Sequence, residues 1–267
     1  MTSVLTLQSV HKTFEAKTPN ENHVLKGVDL KVEKGDFITI IGGNGAGKST
    51  FLNAIAGSLL VDQGTIKIED KDVTKLTANK RAGLVSRVFQ DTRMGTASRL
   101  TIEENMAIAD RRGHSFGFGR GVHNKQREQF KEALKLLDLG LENRLTAEVG
   151  LLSGGQRQAL TLLMATLKKP KVLLLDEHTA ALDPKTSDMV LKLTEEVILR
   201  DQLTALMITH DMEQAIQMGN RLLMMDNGRI LIDISGEEKK QLTVQQLLDM
   251  FKKQSGRALN DDALILG

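Results

Sequence analysis

DFITIIGGNGAGKSTFLNAIAG, residues 36–57, passes from a short β-rich run into a glycine-rich turn and then into a helical pattern. Gly42-x4-Gly47-Lys48-Ser49 within it is a complete phosphate-binding loop, and it lies after a strand and ahead of a helix, where that loop works. Glycines let the backbone of Gly42, Gly43, Asn44, Gly45, Ala46 and Gly47 wrap closely enough for its N–H groups to face an anion. The dipole of the helix opened by Lys48, Ser49 and Thr50 adds positive potential. Lys48 is expected to reach the β- and γ-phosphates as a point charge, and the Ser49 hydroxyl to ligate Mg²⁺. A nucleotide kinase, a GTPase and a motor all carry such a loop, so the stretch by itself leaves the three open.

A second stretch, KVLLLDEHTAALDP at 171–184, ends an apolar run on two adjacent acids. Strand ends often carry acids for no reason beyond reaching water. Beside a phosphate loop, however, Asp176 suits the second protein contact to Mg²⁺, and Glu177 is expected to orient or deprotonate an attacking water. His178 either touches that site or packs the turn, and the packing role is the simpler one.

Outward from these two stretches, LVSRVF (84–89), KVLLL (171–175) and TALMIT (204–209) are further compact apolar runs separated by helix-like sequence. That alternation predicts an α/β core with a parallel sheet. VLTLQSV (4–10), VDLKV (28–32) and TIKIE (65–69) alternate instead and read as a small antiparallel sheet, while Asn227-Gly228 between two apolar runs predicts a hairpin. From about 91 to 160 strand signals nearly vanish. QREQFKEALKLLDLGL there sets Phe130, Leu134, Leu137 and Leu141 at helical spacing, so a helical subdomain is expected inside the sheet domain. GHSFGFGRG, 113–121, reads as a connecting loop, with an RNA-binding segment as the alternative, and TVQQLLDMFKKQ, 243–254, as a packing helix presenting Val244, Leu247, Leu248 and Phe251 on one face, with partner binding as the alternative.

With 40% hydrophobic and 26% charged residues, a chain of 267 residues can bury a large core, which excludes disorder. The 36 Lys and Arg against 34 Asp and Glu leave a net charge of +2, too small to argue for nucleic acid or anionic lipid as a partner. There is no cysteine, hence no disulfide and no thiolate metal site. No window approaches the roughly 20 apolar residues of a membrane span.

LLSGGQRQALTLLMATLKKP, residues 151–170, separates the three nucleotide-binding classes. Leu152-Ser153-Gly154-Gly155-Gln156 opens an amphipathic helical pattern that stops at Lys168 and Lys169 before Pro170. Here the chain resembles the ATP-binding-cassette (ABC) family, whose signature is LSGGQ just ahead of the acidic strand. The resemblance covers residues 3 to about 235 and implies a P-loop NTPase (RecA-like) core with an antiparallel β subdomain and an inserted α-helical subdomain. Residues 3–235 are then expected to form one ATPase domain, with its helical part at about 91–160, and 236–267 a short C-terminal helical extension.

The resemblance also assigns residues. Phe14 in HKTF matches the aromatic that stacks on adenine. Gln90 resembles the glutamine that joins the sheet to the helical subdomain and senses Mg²⁺ and water. Ala180-Ala181-Leu182-Asp183 resembles the loop that passes between subunits, and His210 in ITHD the histidine that contacts the γ-phosphate. The implied catalytic set is Glu177, His210, Lys48 and Gln90, and the implied Mg²⁺ contacts are Ser49, Gln90 and Asp176. Ser153, Gly154, Gly155 and Gln156 serve the ATP of the other subunit in this family, so a head-to-tail homodimer with two ATP molecules between its chains is implied. Two departures stand out: Gly43 where proline or serine is common, and His178 where proline is frequent.

An ABC ATPase with no membrane span of its own must borrow one. The resemblance therefore implies integral permease subunits, an extracytoplasmic solute-binding protein, no nucleic acid, and a peripheral place on the cytoplasmic face of the membrane. Residues 91–105, DTRMGTASRLTIEEN, follow Gln90 where this family receives a permease helix. DEHTAALDP resembles bacterial uptake ATPases whose permeases are related to branched-chain amino-acid transporters, among them tryptophan and other aromatic amino-acid systems. An exporter uses the same engine, and a soluble mechanical ATPase is a further alternative.

Overall fold

A computed structural model describes residues 3–113 and 122–256. All but Gly113 of the glycine-rich segment 113–121, and residues 257–267 of the C-terminal extension, lie outside them. In chain order the elements are β1 (Ser3–Phe14), β2 (Asn22–Glu33), β3 (Phe37–Ile41), α1 (Lys48–Ala56), β4 (Gln63–Ile68), β5 (Lys71–Asp72) and α2 (Ala78–Arg81). There follow β6 (Val85–Val88), α3 (Ile102–Asp110), α4 (Asn124–Lys135), α5 (Gly154–Thr166), β7 (Val172–Asp176) and α6 (Pro184–Asp201). The chain continues through β8 (Ala205–Ile208), α7 (Met212–Gln217), β9 (Arg221–Asp226), β10 (Arg229–Ser235), α8 (Gly236–Lys240) and α9 (Val244–Ser255). Two compact units result, one formed by Met1–Arg81 with Gln202–Gly267 and the other by Ala82–Asp201.

The first unit holds two kinds of sheet. β2, β1, β4 and β5 pair antiparallel in that order; the first three come from the alternating segments expected to do so, and β5 is a two-residue strand the alternation does not show. β3 runs parallel to both β8 and β9, and β9 turns back antiparallel into β10. All five residues of β3 are buried, the pattern of a parallel strand covered on both faces. Its one polar member, Thr39, donates its hydroxyl to the Ala215 carbonyl on α7 at 2.7 Å, so nothing polar is stranded there. Asn227 and Gly228 turn the β9–β10 hairpin with φ of 46° and 77°, the left-handed pair that a two-residue turn requires.

Helix α9 buries Leu247 and Phe251 against Ile41, Met212, Leu222, Met224 and Ile234, which makes it the packing helix the spacing predicts. Two buried cations finish helices in this unit. Arg81 donates to the carbonyls of Ala54 and Ile55 at the end of α1, both at 2.7 Å, and to those of Leu76 and Thr74 at 2.8 and 3.2 Å. Lys239 on α8 donates to the carbonyls of Ile216, Met218 and Gly219 at and beyond the end of α7. Both supply the donors that the last turn of a helix lacks.

In the second unit β6 and β7 pair in parallel, and most of the remainder is helical. Helix α5 differs from its amphipathic reading: every residue from Gln158 to Thr166 is buried, so it is a core helix apolar on nearly all sides. Helix α4 ends at Lys135, sooner than its apolar spacing suggests, because Asp138 and Gly140 take φ of 51° and 69°. Leu137 and Leu141, in the turns beyond, are buried as Phe130 and Leu134 are. A bidentate pair between Arg127 of α4 and Glu103 of α3, at 2.5 and 2.7 Å, ties these helices. No helix among the described residues is long and apolar enough to cross a membrane.

Candidate functional site

The phosphate loop takes its shape from three glycines. Gly42, Gly45 and Gly47 have φ of 148°, 76° and 97°. At Gly42 space is as restrictive as angle, since a Cβ there would stand 2.2 Å from the Met225 carbonyl oxygen. Gly43 shows no positive φ, so its exchange for another residue costs the loop none of its left-handed turns. The Ala46 N–H closes the loop on the Gly43 carbonyl at 3.1 Å, and the Phe51 N–H bonds Gly47 at 2.8 Å to start α1. No side chain caps that start, and its first turn carries no acid, an arrangement suited to an anion. The Lys48 ammonium lies over the loop, donating to the carbonyls of Gly42 at 2.6 Å and Gly43 at 3.2 Å.

Two more predicted residues belong to this unit. Phe14 ends β1 with 38% of its surface exposed, unlike a core phenylalanine, and the Lys12 ammonium stands 5.8 Å from its ring centre. Lys12 is itself held by Asp62 at 2.7 Å, and the Thr13 N–H bonds the same carboxylate. His210 is exposed between two anchored neighbours. The Thr209 N–H bonds Ile40 of β3 at 3.1 Å, and Asp211 caps α7 by accepting from the Gln214 N–H at 2.9 Å.

The other predicted residues lie in the second unit. Gln90 follows β6, whose end is held where buried Gln158 of α5 donates to the Phe89 carbonyl at 3.3 Å. Ser153 caps α5 and forms a reciprocal capping box with Gln156. At Gly155 a Cβ would stand 2.2 Å from the Thr186 methyl group in the first turn of α6, so any side chain there requires Thr186 to move. Asp183 caps α6, accepting from the Thr186 N–H at 3.1 Å ahead of Pro184, and hydrogen bonds from Thr186 hold its carboxyl below the usual range. Gln90, Asp91, Thr92, Arg93, Gly154, Ala181 and Leu182 line one cavity of about 360 Å³. It brings together the glutamine, a signature glycine and the loop that precedes Asp183.

At the end of β7, Asp176 pairs with Arg87 of β6. Glu177, half-buried, sits at φ 45°, a left-handed conformation that a non-glycine residue seldom takes. His178 next to it is 2% exposed, and its Nε2 lies 2.9 Å from the Thr194 hydroxyl on α6. Burial pushes its imidazole down to about 4, so it is neutral at physiological pH and packs the turn.

Sequence reasoning misses Arg87 and Arg81. An arginine inside the apolar run LVSRVF is a signal for a buried acidic partner, and Asp176 is that partner. Arg81 gives no such signal, because its partners are backbone carbonyls. As for a metal, no group of three or more His, Cys, Asp or Glu side chains among the described residues could hold an ion. Ser49 in the first unit, and Gln90 and Asp176 in the second, each carry a hard oxygen donor of the kind that Mg²⁺ takes.

A phosphate loop heading a helix, an acidic strand end and a capped Ser-Gly-Gly-Gln helix start together define a nucleotide-hydrolysing cassette. Residues 25–180 match the ABC transporter family, and the chain belongs to it as an ABC-type ATPase. It is 39% identical over 249 residues to the tyrosine transport ATP-binding protein of Clostridioides difficile, which covers 93% of this chain and 99% of that protein. With the methionine import ATP-binding protein of Listeria innocua it shares 33% identity over 262 residues, 92% of this chain and 72% of that one. Among solved structures, an ATP-binding cassette of an ABC transporter in its ADP conformation matches with a TM-score of 0.77 at 27% identity, covering 94% and 99% of the two chains. A dimeric cassette in a post-hydrolysis state bound to ADP and Pi matches with a TM-score of 0.73 at 27% identity, covering 86% and 98%.

Proposed function

We propose that this chain is the ATPase subunit of a bacterial importer for a small amino acid-like solute, an aromatic amino acid being the first to test. The observation that carries this reading is the match to a tyrosine transport protein over 99% of that protein's length. The methionine relative supports the same class of cargo. In this reading two copies associate head to tail around two ATP molecules, dock on integral permease subunits at the cytoplasmic face of the membrane, and work with an extracytoplasmic solute-binding protein. Residues 91–105 receive the permease helix, and the exposed Met94 side chain within them is apolar surface available for it.

Each residue then has a task. Phe14 stacks on adenine. Backbone N–H groups from Gly43 to Thr50, with Lys48, hold the β- and γ-phosphates, and Ser49, Asp176 and Gln90 hold Mg²⁺. The ion, when bound, neutralises charge on the β- and γ-oxygens. Glu177 orients the attacking water and takes its proton as the new P–O bond forms and the bond from Pγ to the ADP oxygen breaks. His210 donates to the γ-phosphate. Ser153, Gly154, Gly155 and Gln156 serve the nucleotide of the partner chain, and Asp183 lies in the loop between subunits. Arg87 pairs with Asp176 and holds that carboxylate at the end of β7, where it would meet the ion.

Purified Glu177→Gln should bind ATP normally, accumulate as a dimer in Mg-ATP and lose turnover by a factor on the order of 10²–10⁴, the usual span of general-base catalysis. Steady-state hydrolysis at the wild-type rate would sink the role of Glu177. The same variant, tagged in its native cell and solubilised gently, tests the importer reading by mass spectrometry of what co-purifies. A permease with a binding protein supports import, a permease alone favours export, and soluble partners alone would overturn the transporter.

A further inference from the structure

We propose that His178 is a positioning residue for Glu177: its buried imidazole, hydrogen-bonded to Thr194 on α6, fixes the turn that aims the glutamate. The inference rests on the role given to Glu177 above. Three observations carry it.

First, Glu177 is held at φ 45°, where an ordinary side chain is disfavoured, so the surrounding structure must enforce that conformation. Second, the Ala180 N–H bonds the Glu177 carbonyl at 3.0 Å, which closes a four-residue turn with His178 at its second position. Proline is favoured there because its ring presets φ, and histidine carries no such restriction. Third, the His178 side chain replaces local stiffness with a tether. Its Nε2 meets the fully buried Thr194 hydroxyl at 2.9 Å. That hydroxyl donates its one proton to the Val190 carbonyl at 2.8 Å, so it can only accept from the imidazole.

The proton therefore sits on Nε2, which has no lone pair left to take a proton from water. His178 cannot act as a base through that nitrogen, and its contribution is mechanical. The anchor is firm, since Thr194 lies within an 18-residue helix whose first turn is capped by Asp183. Glu177 is thus fixed on one side by β7 and on the other by a side chain reaching α6.

The test is steady-state ATP hydrolysis by the full-length chain, with ATP affinity measured in parallel and folding checked by thermal unfolding. Thr194→Val keeps the shape and removes the acceptor. It should lower kcat at least tenfold, with KM and equilibrium affinity for ATP within twofold of wild type, while Thr194→Ser restores at least half of kcat. A folded Thr194→Val with kcat within twofold of wild type overturns the inference, as does a loss shared equally between kcat and affinity. If Thr194→Val fails to fold, His178→Gln and His178→Leu decide: the glutamine retains an N–H donor and should keep more kcat, and equal values overturn the proposal. Glu177→Gln run beside them separates the two failures. Full activity in Glu177→Gln removes the parent reading, whereas a dead Glu177→Gln beside an active Thr194→Val removes only the tether.

Discussion

Helices α1 and α5 both begin among glycines, yet their first turns are completed in opposite ways. At α1 the residue before the helix is Gly47, which has no side chain to offer, and no acid lies in the first turn. At α5 the residue before the helix is Ser153, which accepts from the Gln156 N–H while the Gln156 side chain accepts from Ser153 in return. The first helix presents its positive end with no side-chain cap on its N–H groups. The second satisfies its end internally, and its glycines answer to packing as well, since Gly155 lies where a Cβ would strike Thr186. One helix start leaves its N–H groups uncapped, as an anion site does; the other is a stable start closed by its own side chains.

The largest effect expected from this contrast is on nucleotide binding. Lys48→Ala should weaken ATP binding on the order of 100-fold or more, the scale of a lost charge-assisted contact of about 3 kcal/mol, with the fold intact. Titration with a fluorescent ATP analogue reads it, and binding within threefold of wild type would break the contrast at its α1 side.

Next in size is the far end of the same helix. Arg81→Ala leaves the carbonyls of Ala54 and Ile55 without their side-chain donor in a buried site and should cost about 2 kcal/mol of unfolding free energy. Urea unfolding measures it. A loss below about 0.5 kcal/mol would mean that water or neighbouring groups cap α1 equally well.

The smallest effect sharpens the comparison at α5. Ser153→Ala removes the cap and should lower stability by about 1 kcal/mol in the same assay, while ATP binding to the monomer stays unchanged. Weaker binding by the monomer would show that Ser153 serves the nucleotide of its own chain, contrary to the head-to-tail reading.

Much of the architecture is legible in the chain because its signals are local. Residues 36–57 carry a strand, a loop and a helix in consecutive sequence, and the turn geometry is written in Gly42, Gly45 and Gly47. Alternation marks β1 and β2, and Asn227-Gly228 marks the β9–β10 turn, since each needs only neighbouring residues to declare itself. Less legible were helix α5, whose consecutive buried residues read as one amphipathic face, and the end of α4, where Asp138 and Gly140 stop the helix before its apolar spacing does.

By itself, then, the sequence determined the phosphate loop, the acidic strand end, the capped signature helix and the strands that carry them. These depend on residue type and spacing over a few turns of chain. Only the tertiary structure decided that Arg81 caps α1 from a separate helix, that Arg87 is the partner of Asp176, and that His178 reaches Thr194. The reason is physical: a buried polar side chain takes its partner from whatever packing brings within about 3 Å, and that choice is made by segments far apart in sequence.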